Sequence, residues 1–302
     1  MLDLIAIGNI SADLFFKADS LTQKDGRFQL AIGGKYMVDE YEMHVGGGGA
    51  NVAIGARKHG LRTAVVGMIG NNAFRKSIID RFKKSKVSTR YTLFNQTDAN
   101  LSMILLDAKG ERTIIVYESS HNHSTEEKHL LKTLPRSRAV YFGNLPDVAM
   151  QYRSLVMARL KKQDTFIAVN VGTRDCCRPT KYTNELLEHA DLVIVNTHEF
   201  AELVKKDESK INFKKSVADM LPIMKDKIIV VTDAAHGSYC YTEGKVFFEP
   251  AARTGKILDT TGAGDAYTAG FLSSYLTHED IQRAMKTGTR YARQIIAHVG
   301  AN

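Results

Sequence analysis

A chain of 302 residues with 44% hydrophobic and 25% charged residues is long enough for a sizeable core and ordinary in composition, which excludes general disorder. Three cysteines, two of them adjacent at Cys176 and Cys177, exclude a disulfide framework, and no apolar run reaches the ~18 residues of a membrane span, so a soluble cytoplasmic protein is expected, with no membrane partner. The net charge of +8 gathers between Arg75 and Arg90, but Phe74, Ile78, Ile79 and Phe82 give that stretch a helical apolar stripe, so we expect a solvated helix face there rather than a nucleic-acid site.

Short apolar runs alternate with helix-length patterns along the chain. Leu2 to Gly8, Thr63 to Gly67, Ala139 to Phe142, Thr165 to Asn170, Asp191 to Asn196 and Lys227 to Thr232 read as buried strands. Ala50 to His59, Ala73 to Ser85, Met150 to Lys162, His198 to Lys206, Phe213 to Lys225 and Ala266 to Leu276 read as helices. This alternation predicts an α/β fold with a doubly wound, mainly parallel sheet flanked by helices, in a single domain over residues 1–302. Ligands are then expected at the carboxyl ends of the strands. Two segments, Leu14 to Val45 and Tyr91 to Ser119, alternate apolar with polar residues and contain turn signals such as Gly33-Gly34 and Lys109-Gly110. They predict a small antiparallel β lid that closes over substrate and excludes water. Its apolar strand faces suggest a homodimer formed lid to lid.

The chemistry-bearing residues begin after the first strand. Asn9 and Asp13 place an amide and a carboxylate where vicinal hydroxyls can be gripped. Gly46, Gly47, Gly48 and Gly49 let a ligand approach the main chain, and Asn51 follows on the first turn of a helix with an amide that both donates and accepts. No P-loop and no G-x-G-x-x-G occurs, so any phosphate must be held by another device. Asp259-Thr260-Thr261-Gly262-Ala263-Gly264-Asp265 supplies one: the amides of Gly262, Ala263 and Gly264 can point at one anion, with the positive end of the following helix behind them. Asp265 puts a carboxylate beside that hole. A helix cap is one reading of it; removal of a proton from an attacking hydroxyl is the other.

Both signatures together, Gly47 to Ala53 through Gly60 to Gly70 and Asp259 to Phe271, resemble those of the ribokinase-like (PfkB) carbohydrate kinase family. The resemblance implies an ATP-dependent kinase that phosphorylates a hydroxyl of a sugar or sugar-like polyol, with a nucleoside kinase as the nearest alternative. A non-catalytic nucleic-acid-binding or regulatory protein on the same fold is a third reading. Asp265 would be the catalytic base, Gly262 to Gly264 the anion hole, and Asn9, Asp13, Gly47, Gly48 and Asn51 the acceptor site. Asn196 and Glu199 match an N-x-x-E motif whose Glu organises Mg²⁺ through water. Thr232, Ala234 and Gly237 fall where the nucleotide loop lies, and Thr289 on the adenine side. A potassium site would fall at Asp259 and Thr261 with carbonyls of Ile295, His298 and Gly300. The chain departs from the family pattern at Ala234, commonly Gly, at Asn71-Asn72, commonly Asp-Asp, and around Asn144, where ribokinases carry an acidic residue.

Overall fold

Successive side chains of a strand point to opposite faces, so a strand covered on both sides must be apolar throughout. Leu4 and Ala6 enter one core while Ile5 and Ile7 enter the other, and Leu192 and Ile194 alternate with Val193 and Val195 in the same way. Each such Leu or Ile contributes about 1.5–3 kcal/mol on burial. The computed structural model describes residues 1–94, 100–107, 111–117, 131–145, 148–253 and 257–302.

In chain order the first strands are β1 (Leu2–Ile7), β2 (Ser11–Lys17), β3 (Gln23–Lys24), β4 (Arg27–Phe28), β5 (Glu40–Gly46), β6 (Thr63–Val66), β7 (Met68–Ile69) and β8 (Leu93–Phe94). They are followed by β9 (Leu101–Leu106), β10 (Arg112–Tyr117), β11 (Ser137–Phe142), β12 (Phe166–Val169), β13 (Leu192–Asn196), β14 (Ile228–Asp233), β15 (Gly237–Thr242) and β16 (Lys245–Pro250). Among the described residues the helices are α1 (Gly48–Lys58), α2 (Arg75–Lys84), α3 (Met150–Lys161), α4 (Thr173–Cys176), α5 (Thr180–Leu187), α6 (Thr197–Leu203), α7 (Ala263–His278) and α8 (Ile281–Ile296).

The larger sheet runs β16-β15-β14-β13-β12-β11-β1-β6 and is parallel from β6 to β14, with β15 and β16 antiparallel at its edge. One face packs on α1, α2, α7 and α8, the other on α3, α5 and α6. The chain leaves β1 toward β6 on one side and reaches β11 on the other, so the strand order reverses at β1 and opens a crevice at its carboxyl end. Asn9 follows β1 there, Asn144 follows β11, and Asn196 and Asp233 close β13 and β14. The smaller sheet, β10-β9-β2-β5, stands beside this crevice. β2 pairs antiparallel with β5 and parallel with β9, which departs from the purely antiparallel expectation. No described helix is long and apolar enough to cross a membrane.

Two further expectations differ. Phe213 to Lys225 is not an α-helix; it holds only single 3-10 turns at Ala218–Met220 and Pro222–Met224. Pro222 has no N–H to donate and pushes Leu221 to φ −129°, which breaks the helical run. Within Leu14 to Val45 no strand forms between Phe28 and Glu40, and the turn expected at Lys109-Gly110 lies outside the described residues.

The loop after β14 carries a strain that its residue type explains. Ala234 sits at φ +41°, in the left-handed region where a Cβ crowds the following carbonyl. Glycine relieves that crowding but loses more entropy on folding, so Ala234→Gly is expected to stabilise the fold by about 0.5–1 kcal/mol. Urea denaturation of both proteins measures it, and a destabilised variant contradicts the strain.

Candidate active site

The helix behind Asp265 begins with a left-handed turn. Gly262, at φ +74°, is its N-cap, and a Cβ there would overlap Ala301, so only glycine fits. The first intrahelical bond runs from the Ala266 N–H to the Gly262 carbonyl at 2.8 Å, which leaves the first-turn amides of Gly264 and Asp265 ahead of it. No side chain caps this end, and a Cβ on Gly264 would meet nothing within 4 Å. The Ala263 amide, however, bends back to the Thr260 carbonyl at 3.3 Å. The expected trio of Gly262, Ala263 and Gly264 therefore opens at Gly264, with Asp265 rather than Ala263 beside it.

Facing this turn is the start of α1. Gly47, at φ +89°, is the N-cap, and the Gly49 amide donates to the Asn9 carbonyl at 3.1 Å, so the glycine run wraps the end of β1. A Cβ on Gly48 would stand 3.3 Å from Asp265 Oδ1, which puts the carboxylate directly over that residue. Asn51, 5% exposed, donates from Nδ2 to Asp265 Oδ2 at 2.8 Å. Burial pushes the Asp265 pKa above the usual carboxylate range, the Asn51 hydrogen bond opposes this, and the Asp13 charge adds to the rise.

Asp13 lies on the other flank of the glycine run, so close to Gly46 that a Cβ there would overlap its carboxylate. It is 6% exposed and accepts from Ser11 Oγ at 2.8 Å. Burial raises its pKa, opposed by hydrogen bonds from Ser11 and Ser102 and by His44. Asn9 Oδ1 accepts from Asn100 Nδ2 at 2.7 Å, which joins the start of β9 to the end of β1.

Asn196 and Glu199 form a capping box: Asn196 Oδ1 accepts from the Glu199 N–H at 2.8 Å, and Glu199 Oε2 accepts from the Asn196 N–H at 3.1 Å. The motif thus has a structural duty at the start of α6. The Glu199 carboxyl, 8% exposed, also accepts from Asn170 and Thr173, and burial and then the Asp265 charge push its pKa up. Tyr141 is buried between the same two carboxylates, which add to the effect of burial in raising its pKa.

Thr232 pairs with Asn196 across β13 and β14, and Ala234 and Gly237 flank the following turn. Gly237, at φ +126°, lies against the Glu249 carbonyl. Thr289, on α8, has no hydrogen bond to the others among the described residues. Its neighbour Gly288 touches Tyr267, whose hydroxyl donates to Ser238 Oγ beside that turn.

The proposed cation ligands are partly tied to one another, while Thr261 Oγ1 is buried without a hydrogen-bond partner. Asp259, 1% exposed, accepts from the Thr261 N–H at 2.8 Å and the Gly300 N–H at 3.2 Å. Gly300 presents its amide, not its carbonyl, to Asp259, and the Ile295 carbonyl already accepts from the His298 N–H at 3.0 Å. Arg112 Nε stands 3.7 Å from Asp259 Oδ1 and brings the positive charge that a cation would bring. Arg112 weighs against potassium there, and the unpartnered Thr261 Oγ1 leaves one ligand position open to it.

Sequence reasoning missed Asn100, Arg112, Asn302 and Arg81. Asn302 Nδ2 donates to Asn51 Oδ1 at 2.8 Å and to the Val45 carbonyl at 2.5 Å, while Arg81 donates to Asn302 Oδ1 from Nε and Nη2 at 3.1 and 2.9 Å. The acceptor on Asn51 is thereby occupied, and its NH₂ must face Asp265. No local pattern announces these residues, because each acts across a long separation in the chain.

Several known proteins are similar to this chain. A 5-dehydro-2-deoxygluconokinase of Listeria innocua is 24% identical over 85% of this chain and 82% of its own length. A nucleoside kinase of Methanocaldococcus jannaschii is 23% identical over 98% of this chain and 91% of its own length. The crystal structure of the Methanocaldococcus jannaschii nucleoside kinase, an archaeal member of the ribokinase family, has a TM-score of 0.77 at 20% identity, covering 100% of this chain and 93% of its own. That of a Thermotoga maritima ribokinase has a TM-score of 0.79 at 20% identity, covering 100% and 95%. The pfkB family carbohydrate kinase model matches residues 1–302 throughout, and the chain belongs to that family of kinases.

Proposed function

We propose that this kinase transfers the γ-phosphoryl group of ATP to a hydroxyl of an unphosphorylated sugar or sugar-like polyol, with Asp265 as the base. The observation that carries the reading is the Asp265 carboxylate held by Asn51 at the open first turn of α7. An acceptor hydroxyl there gives its proton to Asp265 as its oxygen attacks the phosphorus, and the bond to the departing ADP breaks. The Gly264 and Asp265 amides and the α7 dipole stabilise charge on the phosphoryl oxygens without cost of reorganisation.

Asn9, Asp13 and the glycine run offer an amide, a carboxylate and main-chain groups to the acceptor's other hydroxyls. Among the described residues no Lys or Arg makes a hydrogen bond or ion pair with them, which is why an unphosphorylated acceptor is favoured. Among the described residues no cluster of three or more His, Cys, Asp or Glu forms a metal cage. Mg²⁺ keeps several waters and binds chiefly through substrate phosphates, and Glu199 would hold it through water. The ion would neutralise charge on those phosphates. The loop bearing Thr232, Ala234 and Gly237, with Asn196 and Thr289, is read as the nucleotide side.

The smaller sheet is read as a lid, and the exposed Ile115, Val116 and Tyr117 of β10 and Tyr41 of β5 support lid-to-lid pairing in a homodimer. Three cysteines, all free, suit the reducing cytoplasm. A nucleoside acceptor is the second reading, favoured by the names of the relatives from Methanocaldococcus jannaschii. The aromatics of the first lid segment could stack a base, but Phe15 is buried in the core and Phe16 packs on Tyr41 with ring centroids 5.3 Å apart. Release of ADP across a panel of pentoses, hexoses, inositols and nucleosides separates the two readings.

Asp265→Asn is expected to lower kcat by at least 10³-fold, within the range of general-base loss, while calorimetry still detects ATP binding. Substantial turnover in that variant removes Asp265 from the role. Because Asn51 favours the ionised form of Asp265, Asn51→Ala is expected to shift the ascending limb of the pH profile of kcat to higher pH. The base works deprotonated, so activity rises as pH passes its pKa; an unmoved limb argues against Asp265 as the titrating group. With Arg112 beside Asp259, equal rates are expected in potassium and choline buffers of matched ionic strength. A potassium requirement would restore the cation site at Asp259, Thr261, Ile295, His298 and Gly300.

A further inference from the structure

The far ends of α1 and α2 meet at a cavity of about 460 Å³ whose wall includes Arg57, Lys58, Arg81, Lys84 and Lys86. α1 starts at the candidate active site and is 11 residues long, which places its other end about 16 Å away. The cavity is therefore separate from the acceptor and nucleotide sites.

Cations at helix C-termini have an ordinary explanation, since they offset the negative end of the helix dipole. Here the quantities do not match. Two helix ends carry about −0.5 charge each, whereas five side chains carry a full positive charge apiece. None of the five makes an ion pair among the described residues, and the nearest acid in sequence, Asp80, is held by Lys76 at 2.6 Å. Arg57 spends one donor on the Leu61 carbonyl at 3.1 Å, and among the described residues the Arg81 side chain donates only to Asn302. Lys58 Nζ lies 5.8 Å from the centroid of the Tyr291 ring, and partial burial and then the neighbouring Arg81 charge lower its pKa, as expected where positive charge is gathered without a carboxylate partner. Like charges held in a concavity focus a positive potential into it.

We propose that this cavity is a binding site for a small polyanion carrying two or more phosphate groups. Its size lies in the range of small-molecule pockets, and a short open concavity suits a compact anion better than the long track of a nucleic-acid backbone. The site reaches the reaction centre through Arg81. The Nε and Nη2 of Arg81 hold Asn302, Asn302 holds Asn51, and Asn51 holds Asp265. Nη1 remains for the anion, which fixes the guanidinium in the orientation that serves Asn302. This coupling rests on the proposed role of Asp265; the binding itself does not.

Sodium tripolyphosphate is the probe, titrated calorimetrically into the full chain with a non-hydrolysable ATP analogue covering the nucleotide site, at constant ionic strength. The Lys84→Gln/Lys86→Gln double variant, which leaves Arg81 and the active site untouched, is expected to bind at least tenfold more weakly and to keep the basal kcat. Circular dichroism confirms that it folds. Tripolyphosphate is expected to raise the Tm and kcat of the wild type and to lose both effects in the double variant. Equal affinity in the two proteins, or an equal Tm rise from sodium chloride at the same ionic strength, overturns the site. A DNA duplex that binds in a Lys84/Lys86-dependent way where tripolyphosphate does not bind overturns the small-anion reading. Tripolyphosphate binding with unchanged kcat removes the link to Asp265 and leaves the kinase reading standing.

Discussion

The hydrogen bond from Asn51 to Asp265 joins the first turns of α1 and α7, two helices that the chain separates by most of its length. A hydrogen bond to a charged group is worth about 1.5–3 kcal/mol, so it can hold the carboxylate in one orientation while leaving its second oxygen over Gly48. The rest of the crevice is built to let those two turns meet. Helix α1 is buried along almost its whole length and uses Gly49, Ala50, Ala53, Gly55 and Ala56 to lie close to β1 and α7. Bulkier residues would hold the two turns apart.

Three carboxylates, the buried Asp13 and Glu199 and the half-buried Asp265, share this crevice, and withdrawal from water raises the pKa of each. Each is restrained by donors that favour its ionised form: Ser11 and Ser102 for Asp13, Asn51 for Asp265, and the Asn196 amide with Asn170 and Thr173 for Glu199. Such a balance of desolvation against specific donors suits groups that must stay ionised yet remain basic. Around the same crevice, Asp259 anchors the loop before α7 through the amides of Thr261 and Gly300, and Arg112 balances its charge. The loop geometry that aims Gly264 and Asp265 outward depends on that anchor.

Much of the fold was legible because its signals are local. The apolar runs from Leu2, Thr63, Ala139, Thr165, Asp191 and Lys227 all became parallel strands, since burial on both faces requires uninterrupted apolar residues. The helix expected at Phe213 to Lys225 failed because a helical spacing of apolar residues cannot supply the amide that Pro222 lacks. The N-x-x-E pair was legible as a motif, but its reciprocal capping hydrogen bonds appear only once α6 is seen to start at that point.

The sequence by itself determined the class of the protein and pointed to the centre of its proposed site. Glycine runs and the acid after them report backbone approach and helix starts, and these are local properties of the chain. Only the tertiary structure decided which donors meet which carboxylates. Asn302 and Arg81 reach Asn51, Arg112 reaches Asp259, and the cations of α1 and α2 gather around one cavity, all across separations that no periodicity encodes. Such pairings are set by where sheet order and helix packing bring distant segments together, so they depend on the whole fold rather than on any stretch of it.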